Sequence, residues 1–337
     1  MSLKPGALEG LKVVEFAHVI AGPLSGTLLA DLGATVVHVE DPGSGDPQRG
    51  AGPDKDGVHL WWKVAARNKR SVTLNLRTED GRKVARELAE WADVVITNFR
   101  VSTLEKWGLD YASLQTINPK VIVLQVTGFG ANSSRRNEPG FGKVGEAMSG
   151  VVNITGFEDT PPVHTGFSHG DSVTGLMGAF AIQAALYRKH TDPDFDGEWI
   201  DLALYEGLFR LIEWQVIFYD QLGTVPGRGG NKLGAAPAAV INLYGTADGR
   251  WLTVTSGTPR SVSNVAALVD EPAENYATRK DQAANSARLD KLLGEWISTR
   301  TLAECLETMK RLEVVASPIF TVEDMIADET FRERKIS

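Results

Sequence analysis

A chain of 337 residues with 42% apolar and 23% charged side chains can bury the core of two lobes or of one elaborated α/β domain. Its 35 basic and 43 acidic groups leave a net charge of −8, which argues against a general nucleic-acid or membrane-surface binder but leaves room for a local basic patch around one anionic cofactor. A single cysteine, Cys305, excludes an intrachain disulfide, and its amphipathic setting "TLAECLETMKRL" reads as helix packing. No leader-like start and no apolar run of about 18 residues is seen, so a cytoplasmic enzyme is the expectation.

The first 130 residues alternate between two periodicities. "LKVVEF" reads as a short buried strand, and Pro23 to Leu32 as a helix started by proline. "ATVVHVE" is the next strand, ending in Glu40. The polar, glycine-rich residues 41–57 read as a surface loop. Strand "SVTLNL", a helix from Glu79 to Trp91, strand "DVVITN", a short helix near Leu104 and strand "VIVLQVTGFG" follow. Strands alternating with helices predict parallel βαβ units and a doubly wound sheet, with ligands outside the carboxyl ends of the strands. That rule brings Ala17–Gly22, Glu40, Asn98–Phe99 and Thr127–Gly130 to one rim.

From Val173 a helix is apolar on nearly every face, which predicts burial by the sheet, a second lobe or a partner chain. "WIDLALYEGLFRLIEWQVIFYDQL" is strand-like at its start and helical after it. Composition changes at residues 223–239, the expected domain boundary. Beyond it lie a β-hairpin centred on Asp248-Gly249, helical patterns near Arg288–Trp296 and Thr301–Leu312, and then "VVASPIFTVEDMI".

The six histidines, 18, 38, 59, 164, 169 and 190, show no ligand spacing, so no metal site is expected. "GPLSG" and "GDSVTG" only approximate a serine-hydrolase elbow, and "HVIAGPLSG" has the wrong spacing for a dinucleotide fingerprint. A basic cluster, Arg67, Lys69, Arg70 and Arg77, starts a strand of the sheet and suggests phosphate contacts. In "HTGFSHGDSVTGLMGAFAIQAALYRK" one acid, Asp171, opens the long apolar helix. It suits a helix cap, the reading that local sequence favours, and it is compatible with a nucleophile that attacks an acyl carbon between small residues. Local sequence leaves both open.

Three stretches together, "LKVVEFAHVIAGPLSGTLLADLGATVVHVEDPGSGDPQRG", "NKRSVTLNLRTEDGRKVARELAEWADVVITNFR" and "GDSVTGLMGAFAIQAAL", strongly resemble the family III CoA-transferases, which include formyl-CoA transferases, carnitine CoA-transferases and related acyl-CoA racemases. The resemblance runs from about Leu8 to the final helix pattern and is weakest over residues 223–300. It implies an α/β fold with a Rossmann-like parallel-sheet large domain over residues 1–222 and a smaller α+β domain over 223–325. Residues 326–337 correspond to the start of a return segment that stops early, and the family assembly is an interlocked homodimer.

The resemblance also implies transfer of CoA from an acyl-CoA to a carboxylic acid, with no resident cofactor. Asp171 matches the aspartate that carries first the acyl group and then CoA. His18, Val19, Ile20 and Ala21 match the loop lining the CoA site. Leu74 and Arg77 match its adenine and phosphate end, Asn98 and Phe99 the pantetheine region, and Lys106 a basic residue near the phosphates. Lys143 and Glu146 fall on the segment facing the acyl group, and Gly227, Gly229 and Gly230 correspond to a glycine loop of the small domain. Two departures stand out. Asp41 occupies a position that is basic in some members, with Arg70 or Arg77 as possible compensation. Phe141 stands where the racemases carry a histidine base, which favours transfer over α-proton exchange. The alternatives are a racemase or isomerase using acid–base chemistry, and an inactive CoA-binding subunit.

Overall fold

The structure, a computed structural model, describes residues 6–232 and 240–334. Part of the expected boundary, residues 233–239, and the last residues of the expected return segment, 335–337, lie outside them. The chain divides into two compact units, Met1–Ile154 with Val163–Val225 and Thr155–Pro162 with Pro226–Ser337.

The first unit opens with β1 (Lys12–Phe16), α1 (Ala21–Asp31) and β2 (Thr35–Glu40). α1 starts two residues before Pro23, which still lies in the first turn, where a missing N–H breaks no helical bond. The segment expected as a surface loop is partly core. A 3-10 turn over Pro47–Gly50 is capped by the Asp46 carboxylate, and Asp46 and Gln48 are both buried. A short hairpin, β3 (Asp54–Lys55) and β4 (Val58–His59), leads to α2 (Leu60–Ala65) and to β5 (Lys69–Thr73). α3 (Glu79–Trp91) has the expected bounds because Thr78 accepts the Gly81 N–H as N-cap and Glu79 and Asp80 complement the helix dipole. Then come β6 (Val94–Thr97), α4 (Val101–Trp107), α5 (Tyr111–Ile117), β7 (Ile122–Thr127), α6 (Gly142–Ser149), α7 (His169–Thr191), β8 (Glu198–Ala203), α8 (Glu206–Ile212) and α9 (Trp214–Leu222).

Six of these strands pair in parallel in the order β5-β2-β1-β6-β7-β8. Every residue of β6 and β7 is buried, as expected for strands covered on both faces. One face packs Val13, Val36, Ile96 and Leu124 under α1 and α7, and the other packs Val14, Val95 and Val123 under α3 and α5. α7 presses on α1 through small residues. A Cβ on Gly175 would meet Leu24 at 2.8 Å, and Ser25 Oγ donates to Gly175 O at 2.9 Å.

Burial of α7 is narrower than its composition predicts. The stripe Gly170, Thr174, Gly178, Ile182 and Ala185 is buried, whereas Leu176, Phe180 and Tyr187 on the outer side are 55%, 71% and 72% exposed. A sheet can cover only one side of a helix that lies on it.

The second unit holds an antiparallel sheet in the order β11-β10-β9, with β9 (Val240–Gly245), β10 (Trp251–Ser256) and β11 (Ala316–Pro318). Gly249 turns the β9–β10 hairpin with φ 73°, as the Asp-Gly pair predicts. Helices α10 (Pro259–Leu268), α11 (Arg279–Ser298) and α12 (Leu302–Arg311) cover this sheet, and each starts with a threonine capping box. Cys305 is fully buried among Leu252, Leu293, Ile297 and Met309, in keeping with a packing role. Two short helices, α13 (Val322–Ala327) and α14 (Glu329–Glu333), end the described chain.

Candidate active site

In order of appearance the parallel strands run 3-2-1-4-5-6, so the direction of winding reverses between β1 and β6. Loops leaving the carboxyl ends of two such strands diverge and open a crevice. Here Asn98 ties them together: its Oδ1 accepts the His18 N–H at 3.0 Å and its Nδ2 donates to His18 O at 2.7 Å. Val19 follows with φ 69°, a left-handed conformation unusual for a β-branched residue. The buried Asp46 carboxylate holds it there, accepting the Val19 N–H at 3.1 and 3.2 Å.

A cavity of about 270 Å³ lies in this crevice. His18, Val19, Ile20, Ala21, Asn98, Phe99 and Asp171 all line it, so seven of the residues singled out in the sequence converge. The remaining wall comes mainly from Thr127–Gly128 after β7 and from the approach to α6, including Pro139, Gly140 and Phe141. A second cavity of about 260 Å³ is lined by Leu74, Arg77, Glu40, Asp41 and Trp107, and it shares His18 and Phe99 with the first. The His18 and Phe99 rings meet edge to face at 5.0 Å, and Phe99 meets Trp107 at 5.1 Å. Burial holds the His18 imidazole below its ordinary pKa despite the acidic groups Asp46, Glu40 and Asp41 nearby.

Asp171 sits in the first turn of α7. Its carboxylate accepts no hydrogen bond among the described residues and lines the cavity directly. Burial, with the Glu146 charge adding to it and Lys143 opposing it, raises its pKa to about 6. The group is therefore mostly ionised at neutral pH yet more basic than an ordinary aspartate. Two glycines make room for it. A Cβ on Gly142 would lie 2.2 Å from Asp171 Oδ2, and one on Gly170 would lie 2.6 Å from Gly142 O.

Glu146 and Lys143 are outside the cavity lining and brace the turn that carries Asp171. Glu146 is buried, accepting the Gly170 N–H at 3.1 Å, Lys143 Nζ at 2.9 Å and His164 Nδ1 at 2.8 Å. Lys143 Nζ also donates to Thr165 O and Phe167 O at 3.0 and 2.8 Å. Burial pushes the Glu146 pKa up, but these donors outweigh it and hold the group below its ordinary value.

Other expected residues lie elsewhere. Lys106 is exposed on α4, outside both cavity linings. Gly229 and Gly230 belong to the second unit, where Gly230 has φ 62° and its N–H donates to Gly156 O at 2.9 Å. The basic cluster divides. Arg67 pairs with Asp31 across an exposed edge, and Lys69 is buried with Glu15 at 2.9 Å. Arg70 is exposed. Arg77 pairs with Asp41 at 3.0 Å, so the acidic departure at Asp41 is met by a cation at the same cavity. Sequence reasoning missed Arg100 and Arg136, which also line the Asp171 cavity. Arg100 directly follows the Asn98-Phe99 pair and was findable from that signal, whereas Arg136 sits in a loop without one.

Residues 8–337 match the profile of CoA-transferase family III. The chain belongs to this family. It is 37% identical to a succinyl-CoA–D-citramalate CoA-transferase of Chloroflexus aurantiacus, over 98% of this chain and 83% of the relative. It is 36% identical to a succinate–glutarate CoA-transferase of Agrobacterium fabrum, over 97% and 83% of the two chains. A crystal structure of a CaiB/BaiF family protein from Brucella suis superposes with a TM-score of 0.84 at 36% identity, covering 98% of this chain and 88% of that one. The protein is thus a CoA-transferase of family III, an enzyme that moves CoA between acids and uses CoA thioesters as substrates. Among the described residues no helix is long and apolar enough to cross a membrane, and no group of three His, Cys, Asp or Glu is placed to hold a metal.

Proposed function

We propose that the enzyme transfers CoA from a succinyl-type acyl-CoA to a second dicarboxylic acid, with Asp171 as the covalent carrier. The observation that carries the reading is the unbonded, half-buried Asp171 carboxylate on the cavity wall, with a pKa of about 6. Each step exchanges one bond. The Asp171 carboxylate attacks the thioester carbonyl, the C–S bond breaks, and CoA leaves as the thiolate while a mixed anhydride forms. The thiolate then attacks the aspartyl carbonyl of the anhydride, releasing the donor carboxylate and leaving an aspartyl-CoA thioester. The acceptor carboxylate attacks that thioester and expels the thiolate. Attack of the thiolate on the acceptor's acyl carbon forms the product and restores Asp171. No proton needs to move, which suits a site whose His18 imidazole is held neutral and whose Phe141 offers no base.

The dicarboxylic class is supported by two guanidinium groups. Arg100 and Arg136 line the same cavity as Asp171; Arg100 has no side-chain partner among the described residues, and Arg136 has only a half-exposed contact to Glu105 at 3.2 Å. A distal carboxylate satisfies such groups by charge-assisted hydrogen bonds. The succinate and succinyl-CoA in the relatives' names support the same class. The reading includes a homodimer, in which the outer face of α7, with Phe180 and Tyr187 exposed, is covered by a second copy. Sedimentation should then give a dimer at micromolar concentration, and a monomer would reject that part.

The deciding experiment is peptide mass spectrometry after incubation with a panel of acyl-CoAs and hydroxylamine. A hydroxamate at Asp171 with succinyl-CoA, absent in Asp171→Ala, is the expected result. An unmodified Asp171 in enzyme that turns over would sink the covalent route. Arg136→Leu should raise KM for succinate about tenfold while changing KM for a monocarboxylic acceptor little. Equal effects on both would remove Arg136 from acid selection.

A further inference from the structure

Connected to the cavity through Val19, four ionisable side chains form a continuous buried chain. Lys69 Nζ lies 2.9 Å from both oxygens of Glu15 and donates to Pro23 O at 2.6 Å. Glu15 Oε2 meets His38 Nδ1 at 2.7 Å. His38 Nε2 lies 3.2 Å from Asp46 Oδ2, off the ideal hydrogen-bond line, and Asp46 accepts the Val19 N–H. The side chains of all four are no more than 2% exposed. Strand register creates the contact: Glu15 on β1 pairs directly with His38 on β2, so the two side chains share one face of the sheet.

Charge determines what this chain requires. Lys69 and Glu15 cancel, which leaves the Asp46 carboxylate to be balanced by His38 alone. A protonated His38 bonds Glu15 through Nδ1 and turns its second N–H toward Asp46 Oδ2 at 3.2 Å, and the buried chain is neutral. A neutral His38 has one N–H for two carboxylates and leaves a buried negative charge uncompensated. Asp46 is the group that keeps Val19 in its left-handed conformation, and Val19 lines the cavity. From these contacts we infer that protonated His38 is a positioning residue for the CoA site, acting through Asp46 to hold Val19 in its binding-competent conformation.

The other charged groups around His38 fit this assignment. Glu40 on the same strand is occupied by Arg49 at 2.6 and 2.7 Å, and it accepts the Asp46 N–H at 2.9 Å, which fixes Asp46 from its other side. His18 is held neutral by burial and so does not compete for Asp46 as a cation. Trp62 of α2 covers the His38 ring with centroids 5.9 Å apart, and Arg49 lies over Trp62. Burial alone would lower the His38 pKa, but its contacts to Asp46 and Glu15 outweigh that and raise it to about 9. The folded value exceeds the unfolded one, so the clamp is fully formed below about pH 6.5 and weakens as pH rises through about 9.

The inference rests on the cavity binding CoA, not on covalent chemistry at Asp171, so it is tested by binding. CoA affinity is measured by calorimetry on the whole enzyme. His38→Gln, which keeps a polar side chain but no charge, should weaken CoA binding about tenfold at pH 7, with kcat within about twofold. Wild type should lose affinity to the same level as pH passes 9, and His38→Gln should show no such alkaline loss. Val19→Gly supplies an internal control, because glycine adopts a positive φ without strain. In that background His38→Gln should cost much less, a non-additivity that a general folding defect does not produce. Additive effects, or a variant with unchanged affinity and only a lowered melting temperature, would overturn the assignment. Phe99→Ala separates the two premises: if it leaves CoA affinity unchanged, the cavity is not the CoA site. If it weakens binding while His38→Gln does not, the clamp alone is wrong.

Discussion

Glu40 and Asp171 are carboxylates near the carboxyl ends of the same sheet, and their surroundings drive them in opposite directions. Glu40 accepts from Arg49, Ser71 and the Asp46 N–H; burial works against it, but these donors hold its pKa down to about 2. Asp171 is desolvated beside Glu146 and accepts no hydrogen bond from the described residues, so its pKa rises to about 6. Burial is common to both, and the donor set decides. A carboxylate whose lone pairs are occupied is a structural tie, and one whose lone pairs face a cavity is free to attack. Environments that push two like groups apart in this way support the separate roles proposed for them.

The comparison breaks most visibly at Asp171. Asp171→Asn should lower CoA transfer by roughly 10⁴-fold or more, since an amide is not a competent nucleophile here. The same change should raise the melting temperature by about 2–4 °C at pH 7, because it removes a charge the fold desolvates without compensation. The sign follows from the raised folded pKa. Folded protein binds the proton more tightly than unfolded between about 3.8 and 6, so ionised Asp171 costs stability fully only above pH 6. The stabilisation by Asn should therefore be largest above pH 6 and fade toward pH 3.8. A variant that keeps wild-type transfer would sink the nucleophile reading, and one less stable than wild type at pH 7 would mean the fold compensates the charge of Asp171 after all.

Gly142 tests the space around that carboxylate. Gly142→Ala places a methyl group within 2.2 Å of Asp171 Oδ2, so the carboxylate must turn or α6 must move. Misplacement on this scale costs about 10²-fold in kcat/KM, with CoA affinity largely kept. An alanine variant of wild-type activity would show that Asp171 reacts from another rotamer.

Glu40→Gln probes the opposite case. Losing the charge partner of a half-exposed Arg49 should cost about 2 kcal/mol, read as a lower urea midpoint, and leave kcat nearly unchanged. Because the Glu40 pKa is depressed in the folded state, its contribution is present above about pH 4.5 and is lost as pH falls toward 2. Variant and wild type should therefore converge in stability in that acid window.

Much of this was legible in the amino-acid string because it depends on local pattern. The alternation of strands and amphipathic helices predicted a parallel, doubly wound sheet, and Asp248-Gly249 marked the hairpin turn, whereas the local pattern around Asp171 left a helix cap and a nucleophile both open. What stayed hidden depends on partners far apart in sequence. Lys69 reads as a phosphate-binding cation until the fold sets it against Glu15, 54 residues away. Arg67 likewise turns to Asp31, and Asp46 leaves its polar loop to hold Val19. A charge run states how many cations are present, and only the register of the strands states which ones are already paired.

The smallest predicted effect isolates the electrostatic part of the Asp171 environment from its desolvation. Glu146 raises the Asp171 pKa by its charge, while Lys143 lowers it. Glu146→Gln keeps an oxygen for the Gly170 N–H and an outline close to that of the acid, but removes the charge and leaves Lys143 unopposed. If Asp171 is the nucleophile, the wild-type kcat/KM profile should show an acid limb near pH 6, and that limb should move toward lower pH in the variant. Below that limb the variant should be the more active of the two. Above it the order should reverse slightly, because a less basic carboxylate is the weaker nucleophile. A limb that stays in place would mean that burial alone sets the reactivity of Asp171, with Glu146 serving only to brace its turn.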